Sequence, residues 1–290
     1  MKKLFILMLA ASMAAVSCNK DQAPVDQAED RLPIQLSLSL QTKVTDATFE
    51  NDDKIGVYVT YNGALDPYNN YVDNTGYTLS GNTWIPDEQI YWADKTTTAD
   101  FYCYYPYGAP VDATAYNFTV KSDQSARANY VASDFLWGRT LGAAPGSSAV
   151  AIRTSHIMSN ILVYLQPGDG FTPQEFAAAE KVVRIGNVKN NSIVNLASGG
   201  VTATGDVSVI APYWTGECYR AIVVPQSVAA DASLIILTID GVNYTLAREF
   251  TFEARTQHKL TVTVNKSTSG LSVSIDSWLI DETEHTGTAM

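Results

Sequence analysis

The chain has 290 residues, 46% of them hydrophobic, and a formal net charge of −11 at pH 7. So acidic a chain repels nucleic acid and anionic headgroups, which excludes nucleic-acid binding. Past the N-terminus no apolar run approaches the roughly 20 residues of a membrane-spanning helix.

The N-terminus carries the plainest chemical signal. Lys2 and Lys3 precede an apolar run over residues 4–10, and Ala14-Ala15-Val16-Ser17 then lead into Cys18. The run is too short to span a bilayer and has the length of a signal-peptide core. The whole resembles a bacterial lipobox, in which the Cys18 thiol is acylated and the chain is cut just before it. Residues 1–17 are then a lipoprotein signal peptide outside the fold. Removing them takes two lysines and no acid, so the mature chain is more acidic still. Several acyl chains hold a protein at a membrane firmly, where one holds weakly.

Residues 18–33 are polar and acidic, with few large apolar groups. They cannot bury enough surface to offset ordering entropy and read as a flexible tether. From Ile34 the period becomes two. Ile34, Leu36, Leu38 and Leu40 alternate with Gln35, Ser37 and Ser39, which predicts a first strand with one wet face. Further short strands are expected over 54–61, 77–80, 89–92, 99–105, 115–121, 149–154, 161–165, 182–187, 193–196, 207–210, 218–224, 234–239, 242–248, 259–264 and 271–275. Turn residues punctuate them, and Asp240-Gly241 between two apolar runs is a hairpin signal. In Phe101-Tyr102-Cys103-Tyr104-Tyr105 both faces are apolar or aromatic, as for a strand covered on both sides.

One helix is expected, over 172–181, with Thr172 as cap and Pro173 in the first position. Many short strands and one helix predict an all-β chain of β-sandwiches. The stretch 142–148, rich in Gly, Ala, Pro and Ser, divides the folded part nearly in half. Two domains are therefore expected, over 34–145 and 146–290, with the helix in the second.

Sites for chemistry are scarce. His156, His258 and His285 fall in no metal-ligand spacing, and neither a nucleophile elbow nor a phosphate-binding glycine loop occurs. Acidic pairs such as Asp52-Asp53 and Asp87-Glu88 read as solvated turns. Cys103 and Cys218 lie far apart in apolar, aromatic stretches and read as buried free thiols. No catalytic residue, metal site or cofactor is expected. Tyrosine and tryptophan crowd residues 58–107. They serve either to fill a sandwich core or to stack on sugar rings, and core packing is the stronger reading.

Several stretches together are similar to the fimbrillin family of Bacteroidales-type fimbrial subunits. They are Phe49 to Tyr58 with Ile55-Gly56-Val57-Tyr58, and Ile90-Tyr91-Trp92 followed by Asp100 to Pro106. Tyr116 to Ser125 with Ser133-Asp134-Phe135-Leu136 is the third, and Ser155-His156-Ile157-Met158-Ser159-Asn160-Ile161 the fourth. Ile275-Asp276-Ser277-Trp278 is the last. The resemblance implies two tandem transthyretin-like β-sandwiches and a non-enzymatic fimbrial subunit that supports cell adhesion. It makes His156 and Ser159 structural residues. It also implies export as an outer-membrane, cell-surface lipoprotein and assembly with other fimbrial subunits by strand exchange. A protease removes the first strand, and a neighbour's strand fills the vacated groove.

Two basic residues are candidate processing points. A cut after Arg31 severs the lipid but keeps residues 34–40, whereas a cut after Lys43 removes them. The polar end of the chain is poor strand material to donate, which favours a tip or accessory subunit over a shaft subunit. The alternative is an outer-membrane lipoprotein that binds glycans, with a host or bacterial surface ligand, and never polymerises.

Overall fold

The computed structural model describes residues 31–40, 49–61, 63–266 and 271–278. The chain is all-β, with two short helices among the described residues. In order, the first strands are β1 (Leu36–Leu40), β2 (Lys54–Thr60), β3 (Val72–Ser80), β4 (Thr83–Pro86), β5 (Ala99–Tyr105), β6 (Tyr116–Thr119), β7 (Leu136–Ala143) and β8 (Val150–His156). Then come β9 (Ser159–Pro167), β10 (Lys181–Asn195), β11 (Gly200–Ile210), β12 (Tyr213–Trp214), β13 (Tyr219–Val223) and β14 (Gln226–Val228). The last are β15 (Ser233–Ile239), β16 (Val242–Ala247), β17 (Phe250–Phe252), β18 (Gln257–Val264) and β19 (Leu271–Trp278).

A seven-stranded sheet runs β1-β8-β7-β5-β2-β3-β4. One five-stranded sheet is β11-β10-β15-β16 with β6 also on β10, and the other is β12-β13-β9-β18-β19. The two five-stranded sheets enclose the larger core, around Ile161, Val163, Ile185, Leu237, Leu260 and Val262. The seven-stranded sheet carries its own core on one face, around Ile55, Val57, Phe101, Cys103 and Ile152. Its other face presents Tyr58, Tyr102, Tyr104 and Trp137 to the larger core. β5 is therefore covered on both sides, with Phe101 and Cys103 in one core and Tyr102 and Tyr104 in the other. The aromatic crowding follows from that position.

The stretch 142–148 connects β7 to β8, which are neighbours in the seven-stranded sheet. The chain joins the five-stranded sheets twice, first through β6, which pairs with β10, and again from β9 onward.

Three local expectations need correcting. The helix is Pro173–Ala178 and not 172–181. Thr172 and Glu175 form a capping box, but Lys181 already pairs with Ile239 as the first residue of β10. A further helix, Arg127–Val131, lies in the first half. Its N-cap is Ala126, which offers no side-chain cap and so no sequence signal. Residues 89–92 form no strand and make only an isolated bridge between Tyr91 and Pro33. The expected hairpin is present between β15 and β16. Asp240 and Gly241 have φ of 46° and 81°, the conformation a two-residue turn needs to match strand twist.

Candidate functional site

The first strand lies along one edge of its sheet. β1 pairs with β8 alone, in parallel, from Leu36 opposite Val150 to Leu40 opposite Thr154. The residues just before it turn to a different partner. Ile34 N–H donates to the Ile90 carbonyl at 2.9 Å, and Trp92 N–H donates to the Leu32 carbonyl at 2.9 Å. Residues 32–40 thus bridge β8 and the segment that follows β4, and curl the seven-stranded sheet back on itself. Pro33 lacks an N–H and is exposed there, as suits an edge position.

Burial fades along the segment. Ile34 is 1% exposed and Leu36 7%, whereas Leu38 and Leu40 are half-buried and Ser37 and Ser39 face solvent. Ile34 and Leu36 pack in the core with Ile55, Phe101, Trp92 and Ile152. Each contributes roughly 1.5–3 kcal/mol by leaving water. Two side chains near the strand's start therefore do most of the anchoring.

Two side chains hold the segment by its backbone. Gln89 Nε2 donates to the carbonyls of Ile90 (2.8 Å) and Ile34 (3.3 Å). The Thr154 hydroxyl, 1% exposed, donates to the Ser39 carbonyl at 3.3 Å. Between them, Val150 N–H donates to the Gln35 carbonyl at 2.8 Å. Sequence reading missed Gln89 and Thr154, since only the fold brings them to these carbonyls.

Among the other expected site residues, Arg31 is exposed just ahead of the segment. Cys18 and Lys43 lie outside the described residues. His156 Nδ1 meets Asp134 Oδ2 at the end of β8. Burial opposes a charged ring, but the charge and hydrogen bond of Asp134 outweigh it and hold the histidine above its ordinary pKa. Ser159 is fully buried where the chain enters β9. His258 is also buried, between Phe250 and Phe252, and burial lowers its pKa. Cys103 and Cys218 are buried and unpaired, and burial pushes the Cys103 thiol far up. Among the described residues no group of three or more His, Cys, Asp or Glu is placed to hold a metal. No helix among them is long and apolar enough to cross a membrane. Of the crowded aromatics, Tyr58, Tyr77, Trp84, Trp92, Phe101, Tyr102 and Tyr104 are buried, while Tyr68 stands 73% exposed.

The fold and this edge define an all-β protein with a first strand held by one neighbouring strand and two buried side chains. The chain belongs to the Fimbrillin-like family, whose model matches residues 42–278. It is 24% identical over 298 residues to a Bacteroides uniformis protein provisionally named fimbrium subunit Fim1C, spanning 96% of this chain and 95% of that one. Its fold is similar to a crystal structure from Bacteroides uniformis, provisionally described as a cell adhesion protein. There the TM-score is 0.67 at 21% identity, over 86% of this chain and 98% of that one. A Bacteroides ovatus structure of the same description gives 0.63 at 16% identity, over 87% and 99%. Family membership makes this chain a fimbrial subunit of the cell surface.

Proposed function

We propose that the chain is a tip or accessory fimbrial subunit. It is exported as an outer-membrane lipoprotein acylated at Cys18, and it joins other subunits by exchange of its first strand in support of adhesion. Its two cores correspond, in this reading, to two transthyretin-like sandwiches. The observation that carries the proposal is the position of β1. It lies at a sheet edge beside a single strand, with its anchoring side chains over one core. Loss of that strand opens a groove with unpaired backbone on β8, the arrangement that accepts an added strand. The family match also begins at residue 42, past β1.

Processing decides between subclasses. A cut after Arg31 leaves residues 32–40 in place and opens nothing, whereas a cut after Lys43 frees the whole segment. Mass spectrometry of the mature surface protein tests this. An N-terminus at Val44 is the expected result. An intact acylated Cys18 on assembled protein would overturn the exchange reading and leave a closed subunit anchored by lipid.

A further inference from the structure

We propose that two tyrosine-bearing loops at one end of the seven-stranded sheet form a binding site for a neutral oligosaccharide. This rests on the adhesion part of the reading above and is independent of strand exchange. It goes further in placing a site and in naming its ligand by chemical class.

The loops are residues 61–71, between β2 and β3, and residues 87–98, between β4 and β5. Thr60 at the end of β2 pairs with Asp100 near the start of β5, so both loops meet at that end of the sheet. The buried tyrosines of this half serve the two cores, whereas Tyr68 is 73% exposed and Tyr71 42%. Among the described residues these are the only large hydrophobic side chains exposed on the two loops. Their surroundings hold them in place. Tyr61 and Tyr71 meet edge to face with ring centroids 4.7 Å apart. The Tyr71 hydroxyl donates to the Tyr91 carbonyl at 2.9 Å, and the Tyr61 hydroxyl accepts from Ala93 N–H at 2.7 Å, so the tyrosines tie one loop to the other. Asp73 braces the turn that carries Tyr68 by accepting from Asn69 N–H and Asn70 N–H, both at 3.0 Å. A ring fixed before binding loses little entropy when a ligand lies on it.

The chemistry of the loops fits a sugar. The C–H-bearing face of a pyranose is apolar and packs on an aromatic ring, while its hydroxyls need donors and acceptors close by. Asn69, Thr96 and Thr97 are exposed on the same loops and offer an amide and two hydroxyls. A protein partner calls for aliphatic contact as well, and the loops expose no large aliphatic side chain among the described residues. Charge narrows the choice of sugar. Residues 61–73 and 91–98 carry Asp66, Asp73 and Asp94 against a single cation, Lys95. A sialylated or sulfated glycan would meet like charge there, and a neutral one does not.

The test presents the full mature chain to an array of neutral, sialylated and sulfated oligosaccharides, and then titrates the strongest neutral binder. Neutral glycans are expected to bind, and their sialylated or sulfated forms to bind at least about tenfold more weakly. Tyr68→Ala changes a side chain too exposed to matter for folding, and is expected to weaken binding at least about tenfold. Tyr71→Ala is expected to do the same, whereas Tyr71→Phe keeps the ring and is expected to stay within about threefold of the native chain. Trp214→Ala removes a ring that is 49% exposed on β12, outside the loops, and is expected to leave binding unchanged. Binding that survives both alanine variants, a preference for the charged glycans, or no binding to any neutral glycan would overturn the inference. Beads coated with the chain separate it from the adhesion reading. Loss of their adhesion to epithelial cells on enzymatic deglycosylation supports the site. Adhesion that persists on deglycosylated cells indicates a protein ligand and overturns the inference while adhesion stands. No adhesion to untreated cells and no glycan bound would overturn both.

Discussion

His156 Nδ1 lies 2.5 Å from Asp134 Oδ2 at the point where the chain leaves the seven-stranded sheet for the larger core. The next residue ties the same two segments together, since Ile157 N–H donates to the Phe135 carbonyl at 2.9 Å. Ile157, Met158 and Ser159 then run fully buried into β9. Two of the stretches that carry the family resemblance, Ser133 to Leu136 and Ser155 to Ile161, thus meet face to face. Their shared task is to fix the junction between the two cores.

The ion pair gives the junction a pH dependence. Asp134 raises the pKa of His156 in the folded state above the unfolded value of about 6.5. The pair's contribution to stability is therefore complete below about pH 6.5 and fades as pH rises through the folded value. The stability difference between the native chain and His156→Gln should be larger near pH 6 than near pH 9. Urea unfolding at a series of pH values measures it, and a difference that grew with pH would contradict the pairing. His258 works in the opposite sense. Its folded pKa is lowered, so it costs stability as pH falls below about 6.5.

Gln124 joins the first half of the chain to β13 from a fully buried position. Its Nε2 donates to the Ile222 carbonyl at 2.8 Å, and its Oε1 accepts from Ile222 N–H at 2.9 Å, so the side chain pairs with β13 as a strand would. Gln124→Leu leaves both backbone groups buried and unmatched, and should cost about 2 kcal/mol or more. Gln124→Glu keeps the acceptor, loses the donor and buries a charge. Its deficit should shrink as pH falls, because a protonated carboxyl can again donate. Thermal melts of both variants at neutral and acid pH separate the two effects.

The period-two pattern was enough to find most of the strands, because alternate side chains in those strands are wet. It failed where that condition fails. In β7, Leu136, Trp137 and Gly138 are buried in succession, and Gly138 lies against the Arg153 backbone, so no alternation is visible. β10 reads as two strands because Lys189-Asn190-Asn191-Ser192 interrupts the apolar pattern. There Ser192 is buried, and its hydroxyl donates to the Phe118 carbonyl of β6. The first strand was legible from Ile34, Leu36, Leu38 and Leu40. The grading of their burial was not, nor were Gln89 and Thr154. Those depend on which distant segments meet residues 32–40, and a local pattern carries no such information.

Gly199 tests how closely the β10–β11 hairpin is fitted to the seven-stranded sheet. It has a φ of 71°, and an added Cβ would fall 2.5 Å from the Trp137 ring. Trp137 is itself held by its indole N–H, which donates to the Leu196 carbonyl at 2.7 Å. Gly199→Ala meets both backbone strain and the ring, and should cost about 1–3 kcal/mol. Gly241→Ala shares the positive φ but has open space around it, so it should cost less. Denaturant midpoints of the pair isolate the contribution of the Trp137 contact.

The graded burial of the first strand makes a prediction about stability that is independent of any partner. Ile34→Ala removes a fully buried side chain from the core shared with Phe101 and Trp92, and should cost about 2–4 kcal/mol. Leu40→Ala truncates a half-buried side chain beside β8 and should cost under about 1 kcal/mol. The effect should also be local. Ile34 and the larger core share no cluster, so Ile34→Ala should raise amide hydrogen exchange in β8 and at Ile90–Trp92 far more than in β9 or β18. Hydrogen exchange read by mass spectrometry resolves these segments. Uniform deprotection across both cores would mean that β1 is integral to the whole fold, and a strand of that kind could not be exchanged while the rest of the subunit stayed folded.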